Sequence, residues 1–303
     1  MTDNKSLYLQ PETQEELRSI LPMLTEQSVV LAGGTDLLPG LRQSGREPDI
    51  YLSLWSLINA KEISLEQGWL RIGAMVTHDK AACDLLVEQY FYALKMACRR
   101  VGSQQIRNKG TLCGSIANAS PAGDILPCVF LYGGEIEITG ISGVKRVRAE
   151  EFSGDNGKLD LSCREIITAI YLPVKEGLLS CFVKLGSRRE VTIAQISMCA
   201  AWNRDPQHPE KPVNLKAFVG AVDVKPVSFD CKELPKAVSG DREACDSAAI
   251  RLRAQIQGIR LKRQRESKLK LTEAEKQYKE RAAKGIIYEL IGEMKKTGGT
   301  YER

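Results

Sequence analysis

The 303-residue sequence predicts an α+β or α/β protein. Short apolar runs of strand length alternate with longer stretches of helical periodicity. Two glycine-bearing stretches stand out, residues 29–38, where a short apolar run enters Gly33-Gly34-Thr35-Asp36, and residues 110–124, which are almost free of charge and side-chain bulk. Residues 173–177 open with Pro173, close with Gly177 and break the pattern, which marks the clearest boundary.

Residues 1–57 read as a small unit of their own. Pro11, Glu12 and Thr13 open a helix whose Leu17, Ile20, Leu21 and Leu24 share one face. Residues 28–32 form a short buried strand that delivers Gly33, Gly34, Thr35 and Asp36. Leu37, Leu38 and Leu41 then begin a helix whose first amides favour an anion. Residues 49–54 give a second strand. From 58 to 174 the rhythm changes. Residues 69–74 read as a strand, and Thr77-His78-Asp79-Lys80 caps a helix running to Leu86. Residues 90–101 are helical, and 105–111 turn into the second bare stretch. Residues 135–139 alternate with the period of a half-buried strand, and 165–172 form another, stopped by Pro173. In residues 175–303, 193–202 read as strand or helix, 203–212 as a polar loop and 215–222 as a strand. From Glu233 onward the chain is mainly helical, and Thr272 caps a last helix running to Met294.

Hydrophobic residues make up 43% and charged residues 27%, which is the balance of a soluble globular protein. Since no apolar run approaches the ~20 residues needed to cross a bilayer, no membrane span is expected. The polar, acidic N-terminus has neither the basic nor the apolar region of an export signal, so a cytoplasmic protein is expected. Nine cysteines without a CxxC pair read as reduced, packed thiols rather than metal ligands. The net charge of +5 is local: residues 251–270 carry eight Lys and Arg against Glu266 alone, a segmental +7 that leaves −2 elsewhere. Leu252, Ile256 and Ile259 lie at helical spacing there, so the segment reads as a solvated amphipathic helix, or as a docking face for an acidic partner. General nucleic-acid affinity does not follow from so confined a charge. His78 and His208 fall in a helix cap and a polar loop, and both are expected at the surface.

The two bare stretches carry the functional reading. Glycine imposes no Cβ, and small neighbours leave N–H groups open, so the pair predicts two backbone cradles for one phosphate-bearing ligand.

With residues 30–41 (VLAGGTDLLPGL), 106–127 (IRNKGTLCGSIANASPAGDILP) and 182–197 (FVKLGSRREVTIAQIS) in this order and separation, the chain resembles the flavoprotein subunit of the molybdenum hydroxylases, as in xanthine dehydrogenase and carbon monoxide dehydrogenase. The resemblance implies an α+β protein: a two-subdomain FAD-binding fold of the PCMH/VAO type (1–57 and 58–174) followed by an α+β C-terminal domain (175–303). It implies that Ala32, Gly33, Gly34, Thr35 and Asp36 wrap the FAD pyrophosphate. Thr111, Gly114 and Ser115 would form the second cradle, Asp124 would reach ribityl or adenosine hydroxyls, and Ile167 would contact the adenine side. Lys184 would stand near the isoalloxazine carbonyl and tune the flavin. Val30, Leu31, Leu37, Val101, Ile106 and Ala119 complete the implied contact set. The family pattern Thr-x-Gly-Gly-Asn is here Thr111-Leu112-Cys113-Gly114-Ser115. The cradle is expected to survive this change because its donors are taken to be backbone amides. Cys113 reads as a packed thiol.

The implied role is an FAD-dependent electron-transfer subunit. Its partners would be a molybdopterin-binding large subunit and a [2Fe–2S] small subunit in a dimer of heterotrimers. Electrons would pass through FAD to NAD+, and the complex would act on xanthine or another N-heterocycle. The alternatives are a stand-alone flavin oxidase, with His78 as a conceivable covalent flavin link, and an interaction subunit that has lost its flavin.

Overall fold

The computed structural model describes residues 6–154, 159–188, 191–209, 211–265 and 273–298. The chain forms two compact units.

The first unit comprises Met1–Asp84, Ser103–Ala119 and Gly133–Val174. It contains a parallel sheet of β1 (Leu7–Leu9), β2 (Val29–Leu31) and β3 (Ile50–Ser53) in the order β1-β3-β2, with Leu7 opposite Ile50 and Val29 opposite Tyr51. The helix Gln14–Ile20 precedes β2, capped by the Thr13 hydroxyl accepting from the Glu16 amide. Leu17, Leu21 and Leu24 are buried as the apolar spacing predicts, whereas Ile20 is half-buried. An antiparallel sheet of β4 (Ile63–Glu66), β5 (Trp69–Gly73), β6 (Glu135–Gly140), β7 (Gly143–Arg148) and β8 (Ile166–Pro173) follows, in the order β4-β5-β8-β6-β7. β8 lies at its centre and buries every residue except Pro173, which is why its sequence is apolar apart from Thr168, whose hydroxyl donates to Glu137 Oε1 at 2.9 Å. The edge strand β7 carries Lys145, Arg146 and Arg148, charges that suit an edge.

The second unit comprises Leu85–Gly102, Ser120–Tyr132 and Lys175–Arg303. Its antiparallel sheet is ordered β12-β11-β10-β9, from β9 (Leu179–Gly186), β10 (Ala194–Arg204), β11 (Pro212–Gly220) and β12 (Val227–Ser228). The stretch 193–202, open to either reading in the sequence, is therefore strand. Met198 and Trp202 of β10 share a core with Leu252 and Ile256 of helix Arg242–Arg265 and with Ile287 and Leu290 of helix Glu273–Gly298. The apolar spacing in the basic segment thus faces a core. Its residues Glu266, Lys268 and Lys270, and the cap at Thr272, lie outside the described residues. Helix Ile125–Tyr132 is buried along its whole length. With no polar face it has no helical period, and the sequence reading assigns no element there.

Candidate functional site

Strand β2 ends at Leu31 and hands the chain to Gly33 and Gly34. Gly34 adopts φ +70°, a conformation glycine reaches without strain. At Gly33 the constraint is space: a Cβ there would overlap the Lys109 carbonyl and crowd Gly110. The two bare loops thus touch through their backbones. The helix Leu37–Ser44 begins its i→i−4 bonding with Leu38 N–H donating to Gly34 O at 3.1 Å, so the amides of Thr35, Asp36 and Leu37 precede its first bond. Asp36 is fixed across the gap by Asn118, whose Nδ2 donates to Oδ2 at 2.9 Å.

The second loop is seated by strand-like pairing with residues 76–78. Leu112 N–H donates to Val76 O at 3.1 Å, and His78 N–H donates to Gly110 O at 3.0 Å. Thr111 caps helix Leu112–Asn118 by accepting the Gly114 N–H at 3.0 Å, and Ser115 N–H donates to Thr111 O at 3.0 Å. This corrects one expectation. The Leu112 amide is taken by Val76 O and the Gly114 and Ser115 amides by Thr111, which leaves the Thr111 and Ser115 hydroxyls as polar side-chain groups of this loop at the cleft.

Both loops line one cleft of about 510 Å³ within the first unit, a volume in the range of small-molecule sites. Of the residues singled out from the sequence, Val30, Ala32, Gly33, Gly34, Thr35, Asp36, Leu37, Thr111, Gly114, Ser115 and Ile167 line it. Leu31, Ile106 and Ala119 belong to the same unit but do not line the cleft; Ala119 closes its helix with φ 47°. Val101, Asp124 and Lys184 belong to the second unit. The sequence reading missed Ser44, Arg46, Asn118 and Glu165, which also line the cleft. Arg46 was legible as the cation directly after the helix-ending Gly45, which has φ +64°.

His78 is not a surface residue. It is 2% exposed, and its Nε2 lies 3.1 Å from Ser115 Oγ. The polar Thr-His-Asp-Lys context suggested exposure, but the second loop packs over the ring. Burial and the nearby Arg107 guanidinium push its pKa down to about 4, so the ring is neutral at pH 7. His208 is exposed, as expected. Cys113 is buried, and burial pushes its thiol up to about 12, so it is a packed group and not a nucleophile.

In the second unit, Lys184 Nζ donates to Asp124 Oδ2 at 2.5 Å and to Arg100 O at 3.1 Å, with both side chains 5% exposed. Arg100 ends helix Tyr92–Arg99, whose Ala93 amide is shared between Tyr132 Oη at 3.1 Å and Ser180 Oγ at 3.0 Å. The charge of Lys184 is thus met by a buried carboxylate. Loss of hydration raises Asp124 to about 6, against the opposing pull of Lys184 and Arg100.

A cleft walled by two bare loops, with a loop residue that admits no Cβ, a helix start and flanking hydroxyls, suits the diphosphate of a dinucleotide. Among the described residues no helix is long and apolar enough to cross a membrane.

Comparison with known proteins agrees with this geometry. The chain is 26% identical over 194 residues to the nicotinate dehydrogenase FAD-subunit of Eubacterium barkeri, covering 62% of this chain and 66% of that one. It is 27% identical over 235 residues to the glyceraldehyde dehydrogenase medium chain of Sulfolobus acidocaldarius, covering 78% and 81%. Among solved structures, a chain of quinoline 2-oxidoreductase from Pseudomonas putida 86 superposes with a TM-score of 0.82 over 97% of this chain and 98% of that chain, at 22% identity, a likeness of fold. A family model described as the FAD binding domain in molybdopterin dehydrogenase matches residues 3–175. The chain, with its α+β fold and two converging glycine loops, therefore belongs to the FAD-binding domain family of the molybdopterin dehydrogenases.

Proposed function

We propose that this chain is the FAD-carrying electron-transfer subunit of a heteromeric molybdenum hydroxylase. In this reading a [2Fe–2S] small subunit supplies electrons from a molybdopterin-binding large subunit, NAD+ is the acceptor, and the assembly is a dimer of heterotrimers. An N-heterocycle is the substrate class, a choice supported by the relative named for nicotinate. The observation that carries the reading is the convergence of residues 32–36 and 111–115 on one cleft. Residues 1–57 supply the first loop, 58–174 the second, and 175–303 form the C-terminal domain.

A bound flavin supplies the ability to take electrons singly and release them as a hydride. The chain's own residues bind and orient. The amides at the start of helix Leu37–Ser44 meet the diphosphate, and the Thr111 and Ser115 hydroxyls donate from the opposite wall. Asp36 stays clear of the anion through its bond to Asn118. Ile167 offers backbone to the adenine. Lys184 is assigned to tuning of the flavin and Asp124 to its sugar hydroxyls; within the second unit Asp124 fixes the Lys184 ammonium and moderates its charge.

Reconstitution of the purified chain with FAD tests this directly. The expected result is stoichiometric flavin absorbance after gel filtration and NADH-dependent dye reduction. Flavin that elutes entirely free of protein would overturn the assignment. Flavin that binds without NADH-dependent reduction would keep the cofactor and remove NAD+ as the acceptor.

A further inference from the structure

The proposed function makes no use of His78, the buried ring behind the second loop. Three observations single it out. Its Nε2 is 3.1 Å from Ser115 Oγ, and Ser115 lines the cleft. Its Nδ1 is buried with no hydrogen-bond partner. Its own amide is tied to Gly110 O at 3.0 Å, so the ring is held against the loop it faces.

These fix the direction of the Ser115–His78 bond. A neutral imidazole carries one proton, and the partner of one nitrogen decides which nitrogen holds it. If Nδ1 held it, a buried N–H would point at nothing, and Ser115 would have to donate its own proton to Nε2. If Nε2 holds it, the ring donates to Ser115 Oγ, and the only unmet atom is a lone pair at Nδ1. Orphaned buried donors are the rarer and more costly of the two. With Nε2–H donating, Oγ acts as acceptor on its inner side, and the serine proton is free to turn outward.

We propose that His78 is a positioning residue for the dinucleotide diphosphate: its Nε2–H holds the Ser115 oxygen so that the Ser115 proton is directed into the cleft, onto a phosphate oxygen. The inference rests on the reading of this cleft as the FAD site. It also explains how the loop works with serine where the family pattern has asparagine. An asparagine amide is a donor by composition, whereas a serine hydroxyl can donate or accept and must be told which. With the Gly114 and Ser115 amides engaged in the helix cap, the orientation of this hydroxyl matters more than it would in an amide-lined loop.

The test is FAD affinity of the full-length apoprotein, followed by flavin fluorescence, in a double-mutant cycle. Ser115→Ala and His78→Phe should each weaken FAD by roughly tenfold, the scale of one hydrogen bond to a charged group. The double variant should be no weaker than either single one, because His78 acts only through Ser115. His78→Gln, whose amide N–H reaches near the Nε2 position, should restore binding to within about threefold, while the shorter His78→Asn should not. That last pair also serves if His78→Phe fails to fold. Multiplying penalties in the double variant, or equal binding by the Gln and Asn variants, would overturn the inference while leaving the cleft's assignment intact. A wild-type chain that takes up no FAD would overturn both.

Discussion

Both units bury an ionisable side chain with a polar atom unmet, His78 Nδ1 in the first and Asp124 Oδ1 in the second. Burial is the largest influence on both, and it acts in opposite directions, pushing the imidazole down to about 4 and the carboxyl up to about 6. The surroundings then diverge. His78 meets a serine hydroxyl and is left neutral, whereas Asp124 is given a lysine ammonium at 2.5 Å and a field from Arg100. A neutral ring sets hydrogen-bond direction without placing charge beside an anionic ligand. An ion pair fixes geometry through charge, and losing one partner exposes the full cost of burying the other. The first arrangement suits a wall that must receive a diphosphate, and the second suits a point where a cation has to be held still.

The largest expected effect tests the second arrangement. Lys184→Met should leave Asp124 buried and unpaired and lower unfolding stability at pH 8 by about 3–5 kcal/mol, the range for breaking a buried pair. The loss should shrink at pH 5, where the carboxyl accepts a proton. Pairing it with Asp124→Leu should recover most of the stability. Urea titrations of the three proteins decide the matter, and an unchanged midpoint for Lys184→Met would show that water, not lysine, satisfies the carboxylate.

A smaller effect separates the units by pH. The folded pKa of His78, about 4, lies below its ordinary 6.5, so the unfolded chain binds more protons between these values. The stability contributed by a neutral His78 is complete above pH 6.5 and is lost as pH falls toward 4. Asp124 has the opposite sign: with its folded value raised from 3.8 to about 6, stability declines as pH rises through that interval. The two slopes oppose each other in the wild type. The stability difference between wild type and His78→Gln isolates the first and should grow in favour of wild type by about 3 kcal/mol from pH 4 to 6.5, at 1.36 kcal/mol per unit. A difference that stays constant across that range would mean the buried ring is not held neutral.

The contrast also marks what could be read from the chain alone. The glycine loops were legible because a missing Cβ is a local property, and Gly33 proves to be where no Cβ fits. The helix starts at Thr13 and Thr77 were legible because capping is local too, whereas the cap at Thr111 was not read. His78 was misread because its burial comes from residues 110–115, more than thirty positions away, while its immediate neighbours are polar. The engagement of the Leu112 amide was also out of reach, since it depends on the Val76 carbonyl opposite it. The lysine–aspartate pair spans sixty positions, and only the apolar setting of Lys184 hinted that it was buried. Helix Ile125–Tyr132 and the edge strands β4 and β7 escaped for opposite reasons. The helix has no polar face to create a period, and the strands have too few buried positions to mark one.

The smallest effect separates scaffold from contact inside the first unit. Thr77 and Thr111 perform the same local task, each accepting a helix amide, from Lys80 at 3.2 Å and from Gly114 at 3.0 Å. Replacing either by Ala should lower stability by about 1 kcal/mol, the usual contribution of a threonine cap. Only Thr111 lines the cleft, and accepting the Gly114 amide leaves its own proton free for a ligand. Thr111→Ala should therefore weaken FAD roughly fivefold, a loss near 1 kcal/mol, while Thr77→Ala leaves binding unchanged. Thr111→Ser keeps both the cap and the hydroxyl and should match wild type in both measurements. Equal FAD loss from the two alanine variants would trace the effect to the stability of the short helices and remove Thr111 from the binding wall.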